Sequence, residues 1–490
     1  MSHHILKNKN FSDKRNLELS SDKQSISYIL WGICSVMAVM GLMTANPLET
    51  FCGCLIWPIL FLLLWRPGEP PVLLFAATFQ SIQVLTPVVV ADLSGKTLQQ
   101  VLGDELSMAF YLGSLAILLL AYGMKLGMGK IVLSNFIDLD GNESQKLRVD
   151  RLAIAYLATL AFSTVISSIA FSESGLTQFL LAIDSFHWFA VFLIIWAGFR
   201  HSQFRLLAIS VTLVEILIGL TGFFSGFKTV LFVLLIIYGG TSTKISRLLR
   251  PQVLVLLSLI LILTIYWQGV KGDYRNYVNA GTSTQSIQVS FSDRLAFHGA
   301  ALSKINIEEL NVGFESGLAR LGYLNFFAGS IKTVPSVIPH QEGRLWSEAI
   351  VHTLTPRFLF PNKPAIDDSQ RTNTFTGFRV AGAEQGTSIS IGYVGESYID
   401  FGVPMMFVPI LALGYFWGWL YRSLANFGKI PLLGLAAAAT ILLNVSIAFE
   451  SSNLKIVGGA VSTSLVYLVF LYSVGGIAWQ WLTGKSQKLN

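Results

Sequence analysis

Arg344, Glu348 and His352 stand four residues apart, so they fall in one row wherever residues 345–354 are helical. The row sets a cation, a carboxylate and a group that titrates near neutrality side by side. A carboxylate or imidazole placed so can take a proton from an attacking hydroxyl, and the arginine fork suits phosphate or carboxylate oxygens. The same spacing also suits an exposed helix with an ordinary ion pair. Arg294 and His298 form a weaker pair of this kind. Glu215 stands inside an apolar run, where a carboxylate must be paired, protonated or beside a wet cavity. Asn444 raises the same question at lower cost, and Lys228 falls just past the end of the run that holds Glu215. Asp367 and Asp368 follow Pro364 closely and read as a turn. No metal-ligand spacing, GxxxxGK[ST], HExxH or GxSxG is present, so no metal and no cofactor are expected.

The elements that must hold these residues are set by hydropathy. The 490-residue chain is 53% hydrophobic and only 13% charged, the balance of a membrane protein rather than a soluble one. Its net charge of +6 does not point to nucleic acid, because the basic residues cluster at the ends of apolar runs. The three cysteines, Cys34, Cys52 and Cys54, lie in or beside the first two runs and read as small buried hydrophobes without a disulfide framework. No cleavable signal peptide is expected, since the first apolar run is too long and lacks a small-residue cleavage site.

About twelve transmembrane helices are expected. The first six apolar runs are Ile26–Leu42, Thr50–Trp65, Pro71–Val90, Leu106–Met124, Leu152–Ala170 and Phe186–Phe199. The other six are Leu206–Phe223, Thr229–Gly240, Val253–Val270, Phe401–Tyr421, Ile430–Ala448 and Val457–Leu482. The chain then divides into a polar tail (1–25), spans one to nine (26–270), a large extracytoplasmic loop (271–400), spans ten to twelve (401–482) and a short tail (483–490). Lys and Arg concentrate on the side of the N-terminal tail, which places both termini in the cytoplasm. A loop as long as 271–400 is exempt from that rule and is where function concentrates. Helices are expected there over 292–310, 313–332 and 345–354, on the membrane surface. No internal repeat is visible, which weighs against a secondary transporter.

Three stretches resemble bacterial oligosaccharide repeat-unit polymerases, the Wzy-type O-antigen and exopolysaccharide class. They are Leu220–Leu231 (LTGFFSGFKTVL), Thr355–Pro364 (TPRFLFPNKP) and Gly395–Val403 (GESYIDFGV). The resemblance implies an all-α, GT-C-like membrane glycosyltransferase of the bacterial inner membrane. Such an enzyme moves a polyprenyl-diphosphate-linked glycan onto an incoming lipid-linked repeat unit at the outer face. It works without a required metal, alongside a chain-length regulator and other polysaccharide-export proteins. On this resemblance Lys228 and Arg357 contact the diphosphate, with Lys363 behind them and Arg344 and Arg371 as further phosphate-binding arginines. Glu348, His352 and Glu396 are the candidate catalytic groups, one of them the base for a sugar hydroxyl. Arg371 and Gly382 also match an Arg-x10-Gly spacing. The ligase branch more often has Arg where Lys228 stands, which favours a polymerase over an O-antigen ligase-like transferase, the nearest alternative. A lipid-linked oligosaccharide flippase is the next, although its charge would be spread over many spans rather than gathered in one loop.

Overall fold

The computed structural model describes residues 2–129, 141–172, 177–224, 226–241, 251–282, 287–304, 306–355, 359–360, 362–363, 366–382, 387–427 and 430–484. Its first eleven helices are α1 (Ser2–Gly41), α2 (Pro47–Leu64), α3 (Val72–Leu93), α4 (Leu98–Leu102), α5 (Asp104–Met128), α6 (Val149–Ser172), α7 (Thr177–Asp184), α8 (Phe186–Arg200), α9 (Arg205–Leu220), α10 (Phe227–Thr241) and α11 (Pro251–Val278). Then come α12 (Phe291–Lys304), α13 (Ile307–Leu321), α14 (Asn325–Thr333), α15 (Arg344–Leu354) and α16 (Asp368–Thr376). The last are α17 (Tyr393–Phe401), α18 (Phe407–Ala425), α19 (Pro431–Val445), α20 (Asn453–Ser473) and α21 (Gly475–Thr483). No strand occurs among the described residues.

Nine helices among the described residues are long and apolar enough to cross a membrane. Their outward faces stay apolar. Leu254, Val255, Leu257, Leu261 and Ile262 are exposed along α11, as are Ile33, Val36 and Met40 along α1. A bilayer would cover such faces, because lipid is as apolar as the side chains it meets. The expected eighth, tenth and eleventh spans correspond to α10, α18 and α19, which fall outside those nine. The sixth is longer than its apolar run, since α7 continues into α8 to give Gln178–Arg200. The twelfth breaks near Val474 into α20 and α21. Of the three free cysteines only Cys34 is buried, so the reading of all three as buried hydrophobes is corrected.

Backbones approach most closely where α5 crosses α18. Gly123 and Gly127 on α5 face Gly414 and Gly418 on α18, each pair spaced four apart. A Cβ on Gly123 would come within 2.9 Å of Tyr415 N, and one on Gly127 within 2.6 Å of Trp419 N. One on Gly418 would lie 2.8 Å from Met128 N. Small residues at this spacing let two membrane helices touch along their backbones.

Parts of the region 271–400 pack into the helix bundle. Tyr323 N donates to Gln83 O (3.1 Å) halfway along α3, and Leu324 packs over Gly113 of α5. Helix α14 packs against α5, α16 and α17. Helix α19 is nearly all buried but only 15 residues long, roughly 22 Å at 1.5 Å per residue. It stops at Val445, and residues 446–452 continue as irregular backbone among buried amides. Gln80 Nε2 donates to Ser446 O (2.6 Å), Phe449 N donates to Gln83 Oε1 (2.8 Å), and Tyr393 OH donates to Gln80 Oε1 (2.7 Å). Irregular backbone is tolerated at this depth only where protein groups satisfy it or it lines a cavity.

Helix boundaries within the loop also move. The expected helix 292–310 is divided between α12 and α13, and 313–332 is interrupted at residues 322–324 between α13 and α14. Asp367 and Asp368 do not form a turn. Asp367 caps α16 by accepting from Ser369 N (2.9 Å) and Gln370 N (3.2 Å), and Asp368 is buried in its first turn.

Candidate functional site

The GESYIDFGV stretch is the hub from which the site is built. Its helix, α17, is too short to stand alone and is almost wholly buried. Ser397 Oγ accepts from the Trp346 indole (3.0 Å), and Tyr398 OH donates to Val334 O (2.9 Å). Asp400 accepts from Leu345 N (3.0 Å) and Trp346 N (2.9 Å), satisfying two orphan donors at the start of α15. Burial holds the Asp400 carboxyl above its ordinary range, and these same bonds pull it back down. Gly402, at φ 62°, lies under the His340 ring, where a Cβ would come within 2.8 Å of Nε2. Removing the cap by Asp400→Ala should cost about 1–2 kcal/mol. Hydrogen exchange at the Leu345 and Trp346 amides would report it, and unchanged protection would show that α15 is held otherwise.

Clamped this way, α15 lies along α20 and presents its expected row to a cleft of ≈ 580 Å³ shared with α16. Arg344, Glu348, His352, Lys363 and Arg371 all line it. Glu348 pairs with Arg371 and lies 3.8 Å from Arg344. Lys363 Nζ donates to the carbonyls of His352 and Thr355 (both 2.7 Å), which ties the segment after α15 to the end of that helix.

Behind the cleft lies a buried polar centre. Asp368 Oδ2 accepts from Lys455 Nζ (2.9 Å), Ser390 Oγ (2.8 Å) and Ser452 Oγ (3.1 Å). Glu396, 1% exposed, accepts from Asn453 N (2.7 Å). Burial first, and the Asp368 charge second, push the Glu396 carboxyl up to about 8, so it holds its proton at neutral pH. Glu396 therefore offers a proton rather than a resting base. Asp368 Oδ1, Arg371 Nη1 and both side-chain atoms of Asn453 are buried without a hydrogen-bond partner among the described residues. Buried polar atoms rarely stay unpaired, so this centre has capacity for a polar guest.

The raised Glu396 carboxyl makes stability depend on pH. The folded chain keeps this proton up to about 8 from an ordinary value of 4.5, while the unfolded chain releases it early. The contribution is full below the unfolded value and falls as pH rises from there toward about 8. Glu396→Gln, which carries no titrating proton, should flatten the fall in melting temperature between pH 6 and pH 8. An identical slope in the variant would remove Glu396 as its source.

Lys228 does not line the cleft. It lies in the first turn of α10, and its nearest charged neighbours are Arg320 at the end of α13 and Lys271 near the end of α11. Burial and those two positive charges depress its ammonium to about 8. Arg275, one turn after Lys271, donates to Phe223 O (3.2 Å) and stacks 5.0 Å over the Phe223 ring. Among the described residues no carboxylate lies within 4.0 Å of Lys228, Lys271, Arg275 or Arg320. Four gathered cations without an anion make a site prepared for one. The turn before Lys228 is fixed by its carbonyls: Arg294 Nη1 (2.5 Å) and Tyr274 OH (2.6 Å) donate to Thr221 O, and His298 Nε2 pairs with Leu220 O (2.9 Å). Arg294 and His298 thus serve the end of α9 rather than a reacting centre. Tyr323, three residues after Arg320, donates to Ser390 O and lies within the fields of Glu450, Asp368 and Arg320 alike.

Of the expected site residues, five share the cleft, Glu396 lies behind it and Lys228 belongs to the cationic cluster. Arg357 lies outside the described residues. Glu215 is satisfied internally, by Tyr156 OH (2.5 Å) and His187 Nε2 (3.0 Å). Asp368, Asn453, Lys455, Gln80 and Gln83 were not expected. Two amides inside the apolar run of α3 were the one signal of a polar guest or partner there.

Residues 122–436 match the family described as Domain of unknown function (DUF8712). No curated protein and no solved structure matches the chain.

Proposed function

The chain belongs to the DUF8712 family, and we propose that it is an integral-membrane glycan polymerase. In this reading it joins polyprenyl-diphosphate-linked oligosaccharide repeat units at the outer face of the bacterial plasma membrane. The observation that carries it is the unneutralised cluster of Lys228, Lys271, Arg275 and Arg320, which Tyr323 and Ser390 connect to a buried carboxyl and amide centre. A diphosphate gains charge as its bond to sugar breaks, so fixed cations stabilise the transition state more than the ground state.

The roles follow from that chemistry. A hydroxyl oxygen of the incoming unit bonds to the anomeric carbon of the growing glycan. The bond from that carbon to the diphosphate oxygen breaks, and the polyprenyl diphosphate leaves with the electron pair on the four cations. The hydroxyl proton passes to Glu348, which Arg371 and Arg344 hold in the cleft, with His352 next in the row. Lys363 acts as a strut, since its ammonium is spent on two carbonyls. Counting α10, α18 and α19 as crossings gives twelve spans, with both termini in the cytoplasm and the site facing out.

Deleting the gene and locating the lipid-linked intermediate tests this. Single repeat units accumulating on the outer face are expected. Units accumulating on the inner face would instead make the protein a flippase.

A further inference from the structure

We propose that a second cavity, on the far side of α20 from the cleft, binds a sugar ring of the second glycan substrate. The inference rests on the glycan reading above. The cavity is ≈ 370 Å³ and lies among α7, α8, α19 and α20. Trp188 forms part of its wall, with Gln178, Asn444, Asp184, Thr463 and Lys455 supplying polar groups.

The lining selects the class of ligand. Among the described residues the side chains of Asn444 and Gln178 make no hydrogen bond, and each offers two donors and an acceptor. An acyl chain would leave those amides unpaired, which is costly. The charged groups are one Asp and one Lys, and the Lys ammonium already pairs with Asp368, so no surplus charge recommends a phosphate. A neutral polyhydroxylated ring meets both requirements, with its hydroxyls on the amides and its C–H face on the indole. The volume, near the lower end for ligand pockets, suits one or two such rings.

Position supplies the second argument. Lys455 lines this cavity, yet its Nζ lies 2.9 Å from Asp368, whose chain neighbour Asp367 lines the cleft. Helix α20 packs against α15 on the cleft side and α7 on this side. The Asp368–Lys455 pair thus links the segment that lines the cleft to the wall of the second cavity. A polymerase must bring two glycans end to end, and two sugar pockets flanking one buried acid–amide centre would do so.

The test is photo-crosslinking in intact cells that make the glycan, using the full chain. Leu181→p-benzoylphenylalanine places the probe at the second cavity, Val351→p-benzoylphenylalanine at the cleft, and Leu257→p-benzoylphenylalanine on the apolar outer face of α11. After denaturing purification, sugar attached to each variant is released by acid and measured. Sugar at Leu181 and Val351 but not Leu257 is expected, with Asn444→Leu lowering capture at Leu181 about fivefold for the lost hydrogen bond. Sugar at Val351 alone would overturn the second site and leave the polymerase reading standing. Sugar at neither position would overturn both.

Discussion

Cells carrying Lys228→Ala or Arg320→Ala should make no long surface glycan and should accumulate single lipid-linked repeat units on the outer face, with the protein present at its normal level. Arg320 and Lys271 both push the Lys228 ammonium down, so the cluster holds like charges together that a bound anion would relieve. Losing one preorganised group that meets developing charge costs roughly 10²–10³-fold in rate. Lys228→Arg keeps the charge and should retain part of the activity, though a fork does not replace a point charge at equal geometry. The same cause gives a pH dependence. The Lys228 ammonium is charged below about 8, and an anion bound beside it holds the proton more tightly. Affinity for the lipid diphosphate should therefore be full below that value and fall as pH rises through it. Retention of polymer length in both alanine variants would remove the cluster from the reaction and with it the support for the proposed function.

The features legible beforehand were local ones. The spacing of Arg344, Glu348 and His352 located a helix face, because i, i+4 geometry is fixed by the helix itself. Apolar runs located most spans for the same reason. The GESYIDFGV stretch was legible as a motif, but its work was not: Ser397 and Asp400 position α15, while Glu396 receives the start of α20. Those partners come from distant parts of the chain, and no local pattern names them. The Asp368–Lys455 pair was missed on the same ground, and two adjacent aspartates look like a turn until a lysine from a distant helix is brought to one of them. Short helices misled in another way. Helix α19 fails a length test because the chain after Val445 gives way to irregular backbone bonded to Gln80 and Gln83. The departure from regular structure is itself the mark of the site, since backbone of that kind persists in a bundle only where polar partners or a cavity receive it.

Substituting Gly418 by valine should prevent the protein from accumulating in the membrane at all, because the α5–α18 crossing has no room for a side chain. The contact is between backbones: the Cβ would meet the Met124 carbonyl and lie 2.8 Å from Met128 N. Helix backbone cannot rotate aside as a long side chain can, so the two helices must separate along the whole crossing. Overpacking a close contact costs about 1–3 kcal/mol for each added small group. Here the separation would also strip contacts at Gly123, Gly127 and Gly414, which share the same seam. Against a total stability of about 5–15 kcal/mol for a typical domain, that loss is severe. Gly418→Ala should be the milder member of the series, folding with a lowered melting temperature, and Gly418→Val the one that fails. The order matters more than either value, since a cost that rises with side-chain size is the signature of a steric seam. Equal, near-native expression of alanine and valine variants would show that α5 and α18 are not in backbone contact. The consequence reaches the site, because α18 follows α17 directly and α17 is the hub on which α15 and α20 are set. A loosened seam in a chain that still folds should thus lower glycan polymerisation before it lowers protein level, and the alanine variant is where that separation would be measured.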